Sequence, residues 1–198
     1  MLASKATPTR TIQSRRVLFG TPDPIDFILI IGSWQLEVQR TYSWNASPIN
    51  PSEEYSVFPE MNSNKIQEIE DSFARQGLMK TLDCKFDHLE KGRVILELPI
   101  TDKVSQQHGV AHAGASFAIG DSASGYAALS VMDEGAEVMT VEMKINLIAP
   151  AAGRRLIATG EVVKAGRRLI ITRCTVQAEA DDGSLRDVAL LQGTMIPV

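Results

Sequence analysis

The sequence lacks most of the features that mark secreted, nucleic-acid-binding and membrane proteins. Its two cysteines, Cys84 and Cys174, lie far apart and match no metal or redox spacing, so we expect buried thiols in a reducing compartment. A net charge of −4 leaves no basic surface for nucleic acid. The longest apolar run, residues 27–31, is far shorter than the roughly 20 residues that span a bilayer. We therefore expect neither a nucleic-acid partner nor membrane insertion.

Proline becomes rare after residue 60. Residues 1–60 hold six of the nine prolines and both tryptophans, and the prolines interrupt every candidate helix or strand. This segment is either a targeting leader or an extension upstream of a true start at Met61. The second interpretation is favoured because a leader would explain only its first third. We expect an irregular N-terminal extension over residues 1–60 and the functional domain over residues 61–198.

The choice between leader and extension also decides the expected location. Residues 1–20 carry four basic side chains and no acidic one, as mitochondrial transit peptides do. The cytoplasm is expected if residues 1–60 are a mis-assigned extension. The mitochondrial matrix is the alternative if residues 1–20 are a transit peptide.

From Met61 onward the hydrophobic pattern becomes regular. Asn64 and Gln67 form a plausible capping pair for a first helix, whose apolar stripe ends near Gly77. Strands are expected at residues 82–89 and 93–99, and a long helix at 112–131. Four long strand-like segments separated by turn residues follow, at 136–149, 154–164, 168–180 and 184–196.

This element order predicts an α+β fold. Consecutive strands joined by short turns favour antiparallel pairing, and one long helix with a large sheet suggests that the sheet curves around the helix. The long helix is rich in alanine, glycine and serine, and such small side chains let a sheet approach its backbone closely. We therefore expect a single helix wrapped by a mainly antiparallel sheet.

One segment differs from the rest of the chain. Residues 106–132, QQHGVAHAGASFAIGDSASGYAALSVM, contain two histidines, four glycines and one acid, but no lysine or arginine. The glycines are not followed by the Lys-Ser/Thr of a phosphate-binding loop, and the serines lack the context of a nucleophile elbow. His108 and His112 are four residues apart, but no glutamate follows His108 as a zinc protease requires, so no metal site is expected.

Asp121 is the informative residue of this segment. A carboxylate within an apolar helix is costly unless it is paired, hydrogen-bonded or functional. His112 lies nine residues before it, which on a helix is about 13.5 Å of rise and two and a half turns. The two side chains therefore point to opposite faces, and a site that uses both needs a second subunit. Ala113 and Gly114 begin the helix, where unpaired backbone N–H groups could hold an oxyanion.

At this point the chain resembles the hotdog-fold acyl-CoA thioesterases of the PaaI-like (phenylacetic acid degradation) group. The resemblance covers about residues 64–197. It rests on the pattern Gln106…Gly109…His112-Ala113-Gly114…Asp121 and on the stretches VEMKINLIAPA and GEVVKAGRRLIITRCTVQAE. It implies a hotdog fold and hydrolysis of an acyl-CoA thioester by a homodimer or homotetramer. CoA would arrive as part of the substrate, without a metal or redox cofactor.

The resemblance also implies a role for each motif residue. Asp121 matches the catalytic carboxylate, as nucleophile or general base. The Ala113 N–H matches the oxyanion donor, and Gln106 matches the side chain that orients the thioester or water. His112 matches the motif histidine that holds the helix start. The remaining motif positions that are expected to line the catalytic or substrate site are Gly109, Gly114 and Ser122.

Alanine at position 113 departs from the family's glycine. A backbone donor tolerates this change where φ is helical, and the added methyl group would narrow the acyl pocket.

Three residues outside the motif are weaker candidates for substrate binding. Arg167 and Arg168 follow a turn where related enzymes receive the CoA nucleotide, although solvated strand ends are a simpler explanation. Asn146 is either a satisfied buried amide or a pocket residue. Two other functions stay open, a non-catalytic acyl-CoA-binding regulator and a hotdog hydratase or dehydratase. Asp121 argues against the regulator, because binding alone needs no carboxylate in an apolar helix.

Overall fold

A computed structural model describes residues 60–198 of the chain. The elements, in chain order, are α1 (Ser63–Arg75), α2 (Gly77–Thr81), β1 (Lys85–Glu90), β2 (Arg93–Pro99), α3 (Ala113–Leu129), β3 (Val138–Leu147), β4 (Arg155–Ala165), β5 (Ile170–Glu179) and β6 (Leu185–Pro197). The long helix and all six strands lie within a few residues of their expected positions. The expectations for residues 1–59 fall outside the described residues.

The first helix begins and ends differently from the prediction. Asn62, not Asn64, caps α1, because its side chain accepts a hydrogen bond from the Lys65 N–H at 2.9 Å. The helix ends at Arg75, and Gln76 takes an extended conformation before α2 begins at Gly77. The backbone therefore breaks one residue before the glycine, and the short α2 occupies residues for which no element was predicted.

The six strands form one antiparallel sheet in the order β1-β2-β4-β5-β6-β3. Antiparallel pairing was predicted, but the neighbour of β3 was not. β3 pairs with β6, with Asn146 opposite Leu190, and β4 pairs with β2 instead. The segment at residues 148–154 is therefore a crossover to the far side of the sheet and not a hairpin turn. As a result, β3 forms one edge of the sheet.

The sheet packs closely on α3, as its small residues suggested. A Cβ atom at Gly160 of β4 would lie 2.4 Å from the Ala123 carbonyl carbon, so the α3 backbone nearly touches the sheet. A Cβ atom at Gly120 would lie 2.8 Å from Leu191 of β6. Aliphatic side chains from several strands fill the rest of this core, including Leu96, Leu98, Leu156, Val176 and Val188. This helix wrapped by a curved sheet is the predicted α+β hotdog architecture.

Helix α1 lies alongside the C-terminal half of α3 and runs in the opposite direction. At its start, Lys65 Nζ donates to the Asp133 carbonyl at 3.0 Å, just beyond α3. Near its end, Ser72 Oγ lies 3.4 Å from the Tyr126 hydroxyl. Phe73 packs against both Phe86 and Tyr126, with ring centroids 4.4 and 5.6 Å away, and these two rings also contact each other. One side of α3 is therefore covered by α1. Among the described helices, none is both long and apolar enough to cross a membrane.

Candidate active site

The loop before α3 is held by backbone hydrogen bonds on both sides. The His112 N–H donates to the Val104 carbonyl at 2.8 Å, and the Ala111 N–H donates to Ala151 at 2.9 Å. A tight turn connects Gln106 to Gly109, which has a φ of +72°, a conformation that glycine adopts readily. The loop is therefore anchored to its neighbours by hydrogen bonds, and Gly109 has a structural reason independent of any substrate.

His112 caps α3 with its side chain. Its Nδ1 accepts a hydrogen bond from the Gly114 N–H at 2.9 Å, which requires Nδ1 to be unprotonated. The expected role of His112 in holding the helix start agrees with this contact. The expectation of an unpaired Gly114 N–H is wrong, because the imidazole occupies that donor. His112 was predicted to lie within the helix, whereas it is the residue before the first helical turn, from which its ring can reach the Gly114 N–H.

Ala113 provides the remaining donor at the helix start. Its N–H finds no acceptor within residues 60–198, and the residue is exposed. Ala113 is the first helical residue, where the helix macrodipole adds partial positive charge. An exposed N–H in this position can polarise a carbonyl oxygen.

Asp121 lies two turns further along α3, half-buried. Its Oδ1 accepts a hydrogen bond from the Thr140 hydroxyl on β3 at 2.9 Å. Burial raises the pKa of the Asp121 carboxyl above its ordinary value of 3.8, and the hydrogen bond from Thr140 partly opposes this rise. A carboxylate with a raised pKa is a better proton acceptor than a solvated one. Thr140 is a site residue that sequence reasoning missed.

The N-terminal helices contact α3 at Ser122, the residue next to Asp121. Ser122, next to Asp121, donates from Oγ to Gln76 Oε1 at 3.4 Å, and Gln76 lies at the break between α1 and α2. The structure thus brings together Asp121, Thr140, Ser122 and Gln76. Ser122 was predicted to contact water or substrate, and in this structure its hydroxyl is directed to Gln76.

Within one chain the acid and the oxyanion donor remain apart. Ala113 and Asp121 lie on the same helix, eight residues and about 12 Å of rise from each other. Gln106 lies before the helix, half-buried, and its side-chain amide has no hydrogen-bond partner in residues 60–198. The predicted catalytic residues therefore form two groups, one around Ala113 and the other around Asp121.

The other predicted binding residues lie elsewhere. Asn146 is exposed and, together with Lys144 and Gln192, lines a shallow groove of about 420 Å³. The buried-amide interpretation is therefore wrong. Asn146 alternates with the core-facing Ile145, so it lies on the outer face of the sheet, away from α3.

Two pairs of adjacent arginines, Arg167-Arg168 and Arg154-Arg155, differ in their contacts. Arg167 and Arg168 are exposed in the turn between β4 and β5, with no ion pair or hydrogen bond inside the described part of the chain. Arg154 and Arg155 instead form ion pairs with Glu179, which lower the pKa of its carboxyl. Of these four side chains, Arg167 and Arg168 are the two without a carboxylate partner in residues 60–198, so they are the better candidates for binding a phosphate.

Comparison with known proteins places this architecture in a family. The model of the thioesterase superfamily matches residues 108–184. The crystal structure of a thioesterase family protein from Silicibacter pomeroyi is 44% identical, covers 68% of this chain and 98% of its own, and has a TM-score of 0.66.

Curated proteins give the same result. A Saccharolobus solfataricus protein named as an esterase is 33% identical and covers 61% of this chain and 84% of its own length. A 1,4-dihydroxy-2-naphthoyl-CoA hydrolase of Listeria monocytogenes is 26% identical, over 50% of this chain and 94% of its own. Solved PaaI proteins share the fold. Together with the geometry of α3 and the sheet, these matches show that the chain belongs to the thioesterase superfamily, as a PaaI-like hotdog protein.

Proposed function

We propose that the chain hydrolyses acyl-CoA thioesters to free CoA and a carboxylic acid. The observation that carries this proposal is the half-buried Asp121 carboxylate of raised pKa, on the same helix as an exposed Ala113 N–H without an acceptor in residues 60–198. Family membership supports thioester hydrolysis in general, and the hydrolase from Listeria monocytogenes acts on a CoA thioester by its name. CoA enters as part of the substrate, and the proposed reaction needs no metal or redox cofactor.

The site is completed by a second copy of the chain. Asp121 of one subunit and the Ala113 N–H of the other act on one thioester, because the two groups are too far apart within a single chain. β3 is an edge strand whose exposed side chains include Met139 and Val141, each 58% exposed. Thr140 lies between them and binds Asp121, so pairing along this edge brings the second copy next to the acid. Two-fold pairing creates two equal sites, and two such dimers could form a tetramer.

The proposed steps assign a role to each group. The Ala113 N–H, with the helix dipole behind it, polarises the thioester carbonyl and stabilises the oxyanion of the tetrahedral intermediate. Asp121 either takes a proton from water as the water oxygen attacks the carbonyl carbon, or attacks that carbon itself. Collapse of the intermediate breaks the C–S bond, and the CoA thiolate leaves and takes up a proton, which in the general-base route is the one that Asp121 accepted. In the nucleophilic route the acyl group remains on Asp121 as an anhydride, and water hydrolyses it to release the carboxylic acid and regenerate the carboxylate. Gln106 orients the thioester or the water, and Arg167 or Arg168 contacts the phosphates of CoA.

The proposal is tested by measuring CoA release from a panel of aryl- and fatty-acyl-CoA substrates. Asp121→Asn is expected to remain a folded oligomer with turnover reduced at least ~100-fold, the range for a lost acid–base group. Gln106→Ala is expected to be milder, because it orients and does not attack. Asp71→Asn makes the same chemical change at an exposed position on α1 and should leave turnover unchanged.

Two outcomes would reject this assignment. Near-normal turnover of Asp121→Asn would remove Asp121 from the reaction. Tight binding of acyl-CoA without any turnover of the wild-type chain would favour a regulatory acyl-CoA-binding protein instead.

A further inference from the structure

Two glycines lie in the middle of α3, and only one of them is explained by packing. A glycine inside a helix lowers helix stability relative to alanine, so each needs a local reason. At Gly120 the reason is Leu191, which a Cβ atom would meet at 2.8 Å. At Gly125, no atom of residues 60–198 lies within 4 Å of where a Cβ atom would be. The space over Gly125 is therefore open in the described part of the chain.

Gly125 belongs to the same face of α3 as the candidate catalytic acid. It follows Asp121 by four residues and Ser122 by three, and both spacings place side chains next to one another on a helix. Along the helix axis, Gly125 lies about 6 Å beyond Asp121. The open space therefore begins beside Asp121 and extends toward the C-terminal end of α3.

Hydrogen-bonded side chains lie on both sides of this space. On one side, Ser122 is bound to Gln76 at 3.4 Å, and on the other, Asp121 is bound to Thr140 at 2.9 Å. Beyond Gly125, Leu129 is 1% exposed, so the next turn of the helix is covered.

An ion pair and an aromatic cluster bound the same region. Arg75 Nη2 lies 3.9 Å from Glu137 Oε1, which joins the end of α1 to the residue before β3. The rings of Phe73, Phe86 and Tyr126 pack beside it. Aromatic rings and an exposed ion pair therefore lie beside this space, and the buried Leu129 covers the helix beyond it.

We propose that Gly125 determines which acyl groups the enzyme accepts, an inference that rests on the proposed thioester hydrolysis. The acyl group of the substrate extends from the carbonyl at Asp121 over Gly125. About 6 Å of helix rise accommodates a single aromatic ring or a chain of about four to five carbons. The CoA nucleotide is not assigned to this space, because its phosphates need cationic partners and Arg75, a basic side chain beside this space, already pairs with Glu137. The expected substrates therefore carry compact apolar acyl groups larger than acetyl.

The test compares the full chain with Gly125→Leu on phenylacetyl-CoA, hexanoyl-CoA and acetyl-CoA. The leucine side chain would fill the space, so the ratio of kcat/KM for each larger substrate to that for acetyl-CoA should fall at least ~10-fold, the scale at which a hydrophobic pocket discriminates. Gly125→Ala should shift the ratio in the same direction by a smaller amount, and it keeps the inference testable if the leucine variant does not fold. Ala74→Leu adds similar volume at an exposed position on α1 and should leave the ratio unchanged.

Results that contradict the role of Gly125 can be distinguished from results that contradict the proposed hydrolysis. An unchanged ratio in an active Gly125→Leu variant overturns the inference alone, and assigns the space to residues 1–59 or to the second subunit. An equal loss for all three CoA thioesters also overturns it. In that case the corresponding N-acetylcysteamine thioesters, which lack most of the CoA moiety, should be hydrolysed normally if the space holds pantetheine. A wild-type chain that hydrolyses none of the substrates overturns the proposed function, and this inference with it.

Discussion

At the scale of single residues, Asp121 is held between two opposing effects. Burial makes its charged form costly and raises the pKa of the carboxyl, whereas the Thr140 hydroxyl stabilises the charged form by donating a hydrogen bond at 2.9 Å. The carboxylate is the form that accepts a proton or attacks a carbonyl. If Asp121 acts as proposed, the balance between burial and this hydrogen bond sets the pH at which activity is lost on acidification.

Replacing Thr140 with valine should move this acid limit. In the proposed mechanism activity needs ionised Asp121, so it should be lost as pH falls through the raised pKa. Removing the hydroxyl removes the contact that lowers that pKa, so in Thr140→Val the acid limb of the kcat/KM profile should shift to higher pH. Thr140→Ser keeps the hydroxyl and should retain the wild-type limb. Identical pH profiles for the valine and wild-type chains would show that Thr140 does not act on the titrating group.

The sequence allowed Asp121 to be recognised but not Thr140. A lone acid among alanines and glycines is visible without a structure because burying it is costly. Thr140 is 19 residues away and meets the acid only because β3 returns beside α3. The unpaired Gly114 N–H was predicted wrongly for a related reason, since the conformation of a capping histidine depends on the local backbone. The role of a single residue could be predicted where it follows from the local composition, as for Asp121. It could not be predicted where it depends on a side-chain conformation, as for His112, or on a distant strand, as for Thr140.

At the scale of elements, the boundaries followed from hydrophobic periodicity and turn residues. The predicted helix at 112–131 corresponds to Ala113–Leu129, and the last predicted strand at 184–196 corresponds to Leu185–Pro197. The order of the strands in the sheet could not be predicted from the same signals. The segment containing Pro150 and Gly153 was read as a hairpin turn, but it crosses the sheet, with Gly153 at a φ of +150°. Turn residues show where a strand ends, and they do not show which strand the chain pairs with next.

The contact between α3 and β4 gives a test of how the elements pack. A methyl group at Gly160 would lie 2.4 to 2.6 Å from backbone atoms of Ala123 and Ser124, which cannot move without shifting α3. Gly160→Ala should therefore lower the free energy of unfolding by about 1 to 3 kcal/mol, the usual cost of overpacking. Urea denaturation of the purified chain measures this change.

Gly125→Ala is the matched control for Gly160→Ala. It adds the same methyl group where no described atom lies within 4 Å, and it improves helix propensity, so stability should be unchanged or higher by up to about 1 kcal/mol. Equal effects of the two substitutions would contradict the close approach of the helix to the sheet.

At the scale of the whole molecule, residues 61–198 contain every element that the structure describes. α1 begins at Ser63, and Met61 itself packs against the core. A chain that starts at Met61 should therefore fold with a cooperative urea transition and keep full activity on acyl-CoA. The full chain, assayed in parallel, is the reference. Insolubility or lost turnover of the shorter chain would show that residues 1–60 complete the fold or the substrate pocket.

The proposed sharing of each site between two copies follows from the position of β3. Its edge exposes Met139 and Val141 and carries the threonine that binds Asp121. A second subunit that pairs along this edge would bury Met139 and Val141, and the same pairing would place it close to Asp121. A monomer should therefore be inactive, because its Asp121 and its Ala113 N–H cannot act on the same thioester.

Mixing two inactive variants tests this sharing directly. Asp121→Asn removes the acid, and Ala113→Pro removes only the oxyanion N–H, because proline is well tolerated at the first helical position. His112 before it has φ −65° and ψ 143°, which suits a residue preceding proline, and Ala113→Gly serves as a control that keeps the donor. In a mixed dimer, one site holds Asp121 from the proline subunit and the Ala113 N–H from the asparagine subunit, and the other site has both defects. Random exchange should then restore about a quarter of wild-type activity. Absence of activity in mixed dimers that demonstrably form would mean that Asp121 acts within its own chain.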